Sequence, residues 1–163
     1  MKPLPEEGGF YVETYRCACA IKQAHLPAGY EGDRSLGSAI LYLLTPQTLS
    51  RLHRLRSDEL FHFYLGDPVT MLQLHPDGVS RVITLGHDLR AGQQVQAMVP
   101  AGCWQGCLLN DGGRYALMGT TVVPGFEFAD FEAADREQLL RRYPSAKELV
   151  IRLTAGAGCR GRE

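Results

Sequence analysis

The sequence predicts an all-β domain, a sandwich or a barrel, and three observations point to it. Nine short runs of alternating or wholly apolar residues recur along the chain, which is the pattern of half-buried and fully buried strands. Turn residues separate these runs, and the 163 residues include 18 glycines and 9 prolines, more than the ~12% average for these two types together. So many turns exclude an all-helical bundle and favour short antiparallel strands joined by hairpins.

The nine predicted strands follow one another closely, except where the long polar loop His25–Leu36 lies between the first two. They lie near Phe10–Cys19, Ser38–Leu44, Ser50–Leu55, Glu59–Leu65, Val69–His75, Val79–Leu85, Gln94–Val99, Trp104–Leu109 and Arg114–Val123. Three of the turns have a clear cause, because glycine supplies a positive φ and proline presets a negative one. These turns are Gly66-Asp67-Pro68, Pro76-Asp77-Gly78 and Asp111-Gly112-Gly113.

The region after these strands has a helical composition. Residues Glu132–Arg142 are good helix formers with two leucines on one side, and Pro144 ends them, so we predict a helix of about ten residues. Ser145 and Glu148 then fit a capping box. The apolar run that follows fits a second short helix or a final strand equally well.

Length and charge bound the domain organisation and the partners. A chain of 163 residues corresponds to one domain of ~100–200 residues, to which we assign 1–154, leaving 155–163 as a flexible tail. The 17 basic and 18 acidic residues give a net charge of −1, without the basic excess that nucleic-acid binding requires. No apolar run approaches the ~20 residues of a membrane span, and the first residues are unlike a secretory signal. We expect a cytoplasmic protein with no nucleic-acid and no membrane partner.

A histidine and a carboxylate stand out on two consecutive predicted strands. His53 lies on one strand, Glu59 lies at the head of the next, and Gly66 marks the following turn. Because alternate residues of neighbouring strands share a face, both side chains are expected to point into the barrel. Gln105, on the strand that the Pro-x-Gly turn at residues 100–102 opens, is a further inward candidate.

These residues resemble the two motifs of the cupin superfamily, a His-x-His-x3–4-Glu-x6-Gly block and a Pro-x-Gly-x2-His block. His53, Glu59 and Gly66 match the first motif, and the turn at residues 100–102 matches the second. Leu55 and Gln105 stand where the superfamily has histidines.

More closely, the chain resembles a small single-domain cupin family of unknown function. Five spaced blocks carry this resemblance: Glu7-Gly8-Gly9-Phe10, Glu13-Thr14-Tyr15-Arg16, Ser57-Asp58-Glu59 with the aromatic run to Tyr64, Pro100 to Trp104-Gln105, and Val122-Val123-Pro124-Gly125-Phe126. The resemblance implies a cupin-type jelly roll, a double-stranded β-helix, with one or two short C-terminal helices. It also implies a small-molecule pocket inside the barrel and a homodimer formed through the N-terminal strand.

The departures from the motifs bear on a metal cofactor. An ordinary cupin metal centre uses three imidazoles and one carboxylate, whereas this chain offers His53, Glu59 and the weakly donating amide of Gln105. We therefore expect no cofactor. The alternative is a weakly held divalent ion on these same three residues.

Metal-free acid–base chemistry is the activity that the remaining residues favour. Some cupins, such as the sugar-nucleotide epimerases of the rhamnose pathway, remove a proton next to a carbonyl with a histidine and return one from a tyrosine. By that resemblance His53 is the base, and Tyr42 or Tyr64 the acid; strand alternation favours Tyr42. Glu59 orients His53 or acts as an acid, since burial beside Phe61 and Phe63 raises a carboxyl pKa.

The ligand is expected to be a small polar or sugar-like metabolite. The residues expected to bind it are Gln105, Trp104, Phe61, Phe63 and Arg51. Aromatic side chains offer a wall for a ring, and Arg51 shares the predicted face of His53 and can bind an anionic group. The alternative to an epimerase or isomerase is a non-catalytic cupin that binds or stores its ligand.

Overall fold

A computed structural model of the protein describes residues 1–155. The elements of this part of the chain are thirteen strands and two α-helices. The strands are β1 Lys2–Pro3, β2 Phe10–Arg16, β3 Ala20–Ile21, β4 Arg34–Ser35, β5 Ser38–Leu44, β6 Leu49–Leu55, β7 Asp58–Gly66, β8 Val69–Leu74, β9 Ser80–Leu85, β10 Gln96–Val99, β11 Trp104–Leu109, β12 Ala116–Val123 and β13 Phe131–Ala133. The helices are α1 Arg136–Arg142 and α2 Lys147–Leu153.

The strands form two main sheets and one small hairpin. The larger sheet has the order β1-β2-β5-β12-β7-β10, and the smaller has the order β13-β6-β11-β8-β9, while β3 pairs only with β4. Strands paired within each sheet run antiparallel. Neighbours such as β5 and β12 are far apart in the chain, as in a jelly roll. This confirms the predicted all-β jelly roll, a double-stranded β-helix, with two short C-terminal helices.

The nine predicted strands all occur, with ends shifted by a few residues. Four further strands, β1, β3, β4 and β13, are only two or three residues long, too short to show an alternating pattern. The prediction of a helix from Glu132 was wrong at its start. Residues Phe131–Ala133 instead pair with β6, and α1 begins after Asp135, whose side chain accepts a hydrogen bond from the Gln138 N–H.

The predicted capping box at Ser145 was wrong. Residues Pro144–Ala146 form a 3-10 turn, and α2 follows without a side-chain cap. The Ser145 hydroxyl lies 3.2 Å from that of Ser80. The apolar run after Lys147, for which the sequence allowed a helix or a strand, forms helix α2. Of the predicted tail, all but Ala155 lies outside the described residues.

Two apolar cores flank the smaller sheet. One fills the barrel between the sheets, where Phe61, Met71 and Met118 are buried. The other lies under the helices, where Leu139, Val150 and Leu153 pack against Leu52 and Trp104. Because the inside of the barrel is apolar, the polar side chains that lie there need hydrogen-bonding partners.

Neither α-helix in residues 1–155 is long and apolar enough to cross a membrane.

Candidate functional site

Glu59 is a carboxyl group buried at the start of β7. Only 7% of the residue is exposed, and its side chain points into the barrel. Burial raises the pKa of Glu59 from 4.5 to about 7, with the nearby Glu7 carboxylate adding to the rise. His53 and hydrogen bonds from Gln105 and Thr120 act in the opposite direction. Glu59 can therefore both give and take a proton near neutral pH, as a general acid or base must.

Gln105 joins Glu59 to His53. Gln105 on β11 is the direct cross-strand partner of His53 on β6. Its amide nitrogen donates a hydrogen bond to Oε2 of Glu59 and lies 3.3 Å from Nε2 of His53. These three buried residues thus form one connected polar cluster inside an apolar core.

The tautomer of His53 follows from its other ring nitrogen. Nδ1 lies 2.7 Å from the carbonyl oxygen of Arg51, and a carbonyl only accepts, so Nδ1 carries the proton. In the neutral ring Nε2 is then the acceptor that faces Gln105. Phe131 stacks on the ring at 5.0 Å, which holds its orientation.

Glu7 is a member of this cluster that the sequence analysis did not find. Its carboxylate accepts a hydrogen bond of 2.8 Å from the Ser50 hydroxyl, and its other oxygen lies 3.8 Å from Nε2 of His53. Glu7 belongs to no strand. It reaches the barrel from the segment of residues 4–9 that precedes β2, which we call the N-terminal loop.

Two glycines allow the N-terminal loop to approach the barrel. Gly8 and Gly9 both have positive φ, and a Cβ on Gly9 would lie 2.6 Å from the Tyr42 hydroxyl. A Cβ on Gly8 would collide with the carbonyl of Leu49. A glycine pair directly after an acid was the sequence signal for this turn, since only glycine adopts such a conformation without strain.

A cavity of about 210 Å³ opens beside the cluster. Ser38, Glu59 and Thr120 are its buried polar residues, and the Glu7 side chain is only 13% exposed. Glu13, Arg16 and Glu127 are charged residues nearer the surface. The full lining is Leu4, Glu7, Tyr11, Glu13, Arg16, Ser38, Ala39, Ile40, Leu55, Glu59, Thr120, Val122, Phe126, Glu127 and Phe128. The cavity thus has an acidic floor and largely apolar walls.

Four of the five spaced blocks that carry the family resemblance contribute residues to the lining of this cavity, and the block from Pro100 to Gln105 does not. Glu13 and Arg16, from the second block, pair at 2.8 Å on its rim. The last block ends in Phe126, whose N–H donates to the Ser38 hydroxyl at 2.9 Å and whose ring lines the cavity. These four blocks are therefore distant in sequence but contribute to one place in the fold.

The structure brings together His53, Glu59 and Gln105, but the three expected aromatic residues lie elsewhere. Phe61 and Phe63 share the inward face of Glu59 but belong to the filled barrel core and do not line the cavity. Trp104 lies in the core under the helices, with Arg54 4.6 Å from its ring centroid. The reason is strand alternation, since Trp104 and Gln105 are adjacent and must face opposite sides.

Arg51 and Tyr42 are near the cluster but are engaged by the N-terminal loop. The pairing of β6 with β11 shifts register between Ser50 and His53, and such a bulge re-aims a side chain. Arg51 reaches the carbonyls of Glu6 and Glu7 at 3.3 and 3.4 Å. The Tyr42 hydroxyl donates to the carbonyl of Gly8 at 2.9 Å, and burial raises the pKa of Tyr42 well above 10, which opposes a role in proton transfer.

The donor set does not fit an ordinary cupin metal centre. Within residues 1–155, no three His, Cys, Asp or Glu side chains are placed to share a metal ion. Between Glu59 and His53 lies the amide nitrogen of Gln105, which is a hydrogen-bond donor and not a metal ligand.

Comparison with known proteins places this chain in a family. The family described as Cupin superfamily (DUF985) matches residues 1–134. A solved protein of Shewanella oneidensis is 39% identical, with a TM-score of 0.77 over 90% of this chain and 87% of that one. A hypothetical protein from Leishmania major is 30% identical, with a TM-score of 0.81 over 93% and 92% of the two chains.

A yeast relative matches more distantly. An uncharacterized protein of Saccharomyces cerevisiae is 27% identical over 133 residues, which are 76% of this chain. The match spans 66% of the yeast protein, so this chain covers slightly less than two thirds of that relative.

Proposed function

This chain belongs to the family described as Cupin superfamily (DUF985), and on that premise we propose that it binds a small metabolite in its barrel and moves a proton on it with Glu59. The reaction class is a metal-independent isomerisation or epimerisation. The observation that carries the proposal is a carboxyl group with a pKa of about 7 that lines a cavity open to a ligand.

Glu59 has the properties of the group that meets the ligand. Ionised, it can take a proton from a carbon next to a carbonyl, so that the C–H bond breaks and an O–H bond forms on the carboxyl. The electron pair of the broken C–H bond passes to the carbonyl oxygen as an enolate. Protonated, Glu59 can return the proton to the neighbouring carbon on its own side of the ligand, which gives isomerisation. Epimerisation requires that the enolate first turns its other face toward Glu59. A pKa near the working pH favours both directions, because neither protonation state is then scarce.

His53 and Gln105 fit a positioning role in this proposal. His53 is 1% exposed and does not line the cavity, so it is not placed to touch a ligand. Its Nε2 accepts from Gln105, and Gln105 donates to Glu59. This chain of hydrogen bonds fixes the direction of the Glu59 carboxyl. The expected role of His53 as the base is therefore transferred to Glu59.

Proton exchange with solvent is the test. Neutral aldoses and ketoses, together with amino sugars, are incubated with the protein in D₂O, and deuterium at carbon is followed by NMR. We expect exchange into at least one compound, and a ~10²–10⁴-fold loss in Glu59→Gln, the usual contribution of a general acid or base. Glu132→Gln is the matched control, because Glu132 is an exposed acid paired with Arg54. Exchange that persists in Glu59→Gln contradicts the proposal.

Binding without catalysis is the second candidate. It is favoured by the way Glu59, Gln105 and His53 satisfy one another, since such a set can serve structure and binding alone. It predicts a compound that binds, as seen by ligand-observed NMR, but takes up no deuterium in the wild-type protein.

We also propose a homodimer through the N-terminal strand. On the outer face of the larger sheet, β2 presents Val12 and Tyr15, which are 38% and 57% exposed, and β10 presents Met98 at 52%. A second copy is the simplest cover for such a face. We expect a dimer by light scattering and a monomer after Val12→Lys with Tyr15→Lys. Val82→Lys, on the other sheet at 60% exposure, is the control. A wild-type protein that is monomeric by light scattering would contradict this proposal.

A further inference from the structure

We propose that the cavity selects a cationic ligand, a protonated amine on a small apolar or aromatic body, and rejects anions. The inference rests on the proposed binding of a ligand in this cavity and goes beyond it by naming the ligand's charge. It starts from the charged residues of the lining, which are the four acids Glu7, Glu13, Glu59 and Glu127 and the single base Arg16.

Arg16 is already used by its neighbours. Its Nε and Nη2 donate to the Glu13 carboxylate at 3.2 and 2.8 Å, and its Nη1 donates to Glu127 at 3.0 Å. Nη2 also donates to the carbonyl of Phe126 at 3.1 Å. A guanidinium has five N–H donors, and most of these are now taken. Two carboxylates more than balance its charge, so the rim is net negative and offers little to an anion.

Other basic groups nearby do not reach the cavity. Lys2 lies over the Tyr11 ring at 5.3 Å from its centroid and is absent from the lining. The Nη1 of Arg51 contacts two backbone carbonyls of the N-terminal loop. His53 is behind Gln105 and almost fully buried. Within the described part of the chain, the field inside the cavity is therefore set by its carboxylates.

Glu59 is the part of the cluster that a ligand in the cavity meets. Its carboxyl belongs to the cavity lining, whereas Gln105 and Arg51, whose Oε1 and Nε atoms are buried without a partner, do not. An ionised carboxyl only accepts hydrogen bonds, and an ammonium group is a pure donor. The carboxyl of Glu59 and an ammonium group therefore suit each other.

The walls suit the body of such a ligand. Phe126 and Phe128 meet edge to face at 5.1 Å between ring centroids, and both line the cavity with Tyr11. Aromatic faces attract cations as well as apolar rings. The remaining wall residues are mostly apolar, and about 210 Å³ holds a single ring with one short polar arm. A polyanion such as a sugar phosphate would bring charge of the wrong sign to this site.

Three probes of similar shape separate charge from shape: benzylamine, benzyl alcohol and benzoate. Each is titrated into the wild-type protein at pH 8, where Glu59 is mostly ionised, by ligand-observed NMR and calorimetry. We expect benzylamine to bind about tenfold or more tighter than benzyl alcohol, the range for a hydrogen bond to a charged group. Benzoate should be the weakest. Glu59→Gln should narrow the preference for the amine, and Glu132→Gln should not.

A charge placed on the rim locates the effect. Phe128 is 50% exposed, so Phe128→Arg should fold and add a free cation at the mouth. Phe128→Arg should weaken the binding of benzylamine and strengthen the binding of benzoate. Leu89→Arg, at a position that is 63% exposed and outside the lining, should change neither.

The outcomes distinguish this inference from the proposed function. If benzoate binds as well as or better than benzylamine, or if all three bind equally, charge selection is wrong while a ligand cavity stands. If none binds at millimolar concentration, the inference is again wrong. The proposed function is then judged by the deuterium assay, which does not use these probes.

Discussion

Replacing Asp130 with alanine is expected to lower the free energy of unfolding by about 3–5 kcal/mol. Asp130 and Arg34 form a bidentate ion pair of 2.7 and 2.8 Å, and their side chains are 3% and 2% exposed. Removing one partner leaves the other charge buried without compensation, which is the costly way to break such a pair.

The remaining contacts of Arg34 make the effect large. Its Nη1 donates to the carbonyls of Glu31, Gly32 and Asp33 at 2.9 to 3.0 Å. These bonds hold the segment before β4 around the guanidinium, and the ion pair ties it to the segment that carries Asp130 into β13. Without Asp130 the guanidinium must either stay buried and unpaired or pull this segment out to solvent.

Urea unfolding monitored by Trp104 fluorescence measures this loss. Glu132→Ala is the matched control. Glu132 pairs with Arg54 at 2.8 Å but both side chains are at least 40% exposed, so a change of ~0–1 kcal/mol is expected. Equal losses in the two variants would show that burial does not govern the Arg34–Asp130 pair. The double variant Arg34→Met with Asp130→Leu should recover most of the stability.

Replacing Glu59 with glutamine is expected to remove a pH dependence from the stability of the fold. The pKa of Glu59 rises from 4.5 in the unfolded chain to about 7 in the folded one. Between these values the folded state binds more protons than the unfolded state, so stability falls as pH rises. The cost of ionising Glu59 is absent below about pH 4.5 and complete above about pH 7, where it amounts to about 3 kcal/mol.

The comparison of two pH profiles isolates the contribution of Glu59 ionisation to the stability of the fold. Unfolding free energies of the wild-type protein and of Glu59→Gln are measured from pH 5 to pH 8. We expect the variant to gain on the wild type from pH 5 to about pH 7 and the difference to level off above that, because glutamine cannot ionise. Glu132→Gln should run parallel to the wild type. A difference between wild type and Glu59→Gln that is constant with pH would contradict the raised pKa.

Such a result would also bear on function. A residue whose replacement stabilises the protein near neutral pH is retained for something other than stability. Loss of deuterium exchange in the same variant would then assign both effects to one carboxyl group.

The periodicity of apolar residues in the sequence predicts those features of the fold that depend on which face of a strand a residue occupies. The nine longer strands, and the approach of His53 to Glu59 inside the barrel, follow from which residues share a face. The same rule places the side chains of the adjacent residues Trp104 and Gln105 on opposite faces of β11. Arg51 departs from the rule because the bulge in β6 re-aims its side chain.

Features that depend on loop conformation are not visible in the pattern. Glu7 reaches the barrel only because Gly8 and Gly9 adopt positive φ, and no strand period reports where a turn will deliver its side chain. Arg34 and Asp130 are 96 residues apart in the chain, and both lie outside the predicted strands. The cavity likewise combines β2, β5 and the loop after β12, which meet only once the sheets are assembled.

The N-terminal loop has a practical consequence for anyone who prepares or redesigns this protein. Cleavage before Phe10 would spare every strand from β2 onward, so a clipped sample would still give the spectrum of a folded β protein. It would nevertheless have lost one acid of the cavity and the carbonyls that engage Tyr42 and Arg51. A preparation that mixes intact and clipped chains would therefore look uniform by its fold, although some of its chains lack the Glu7 carboxylate. Mass spectrometry of the intact chain would detect chains cleaved before Phe10.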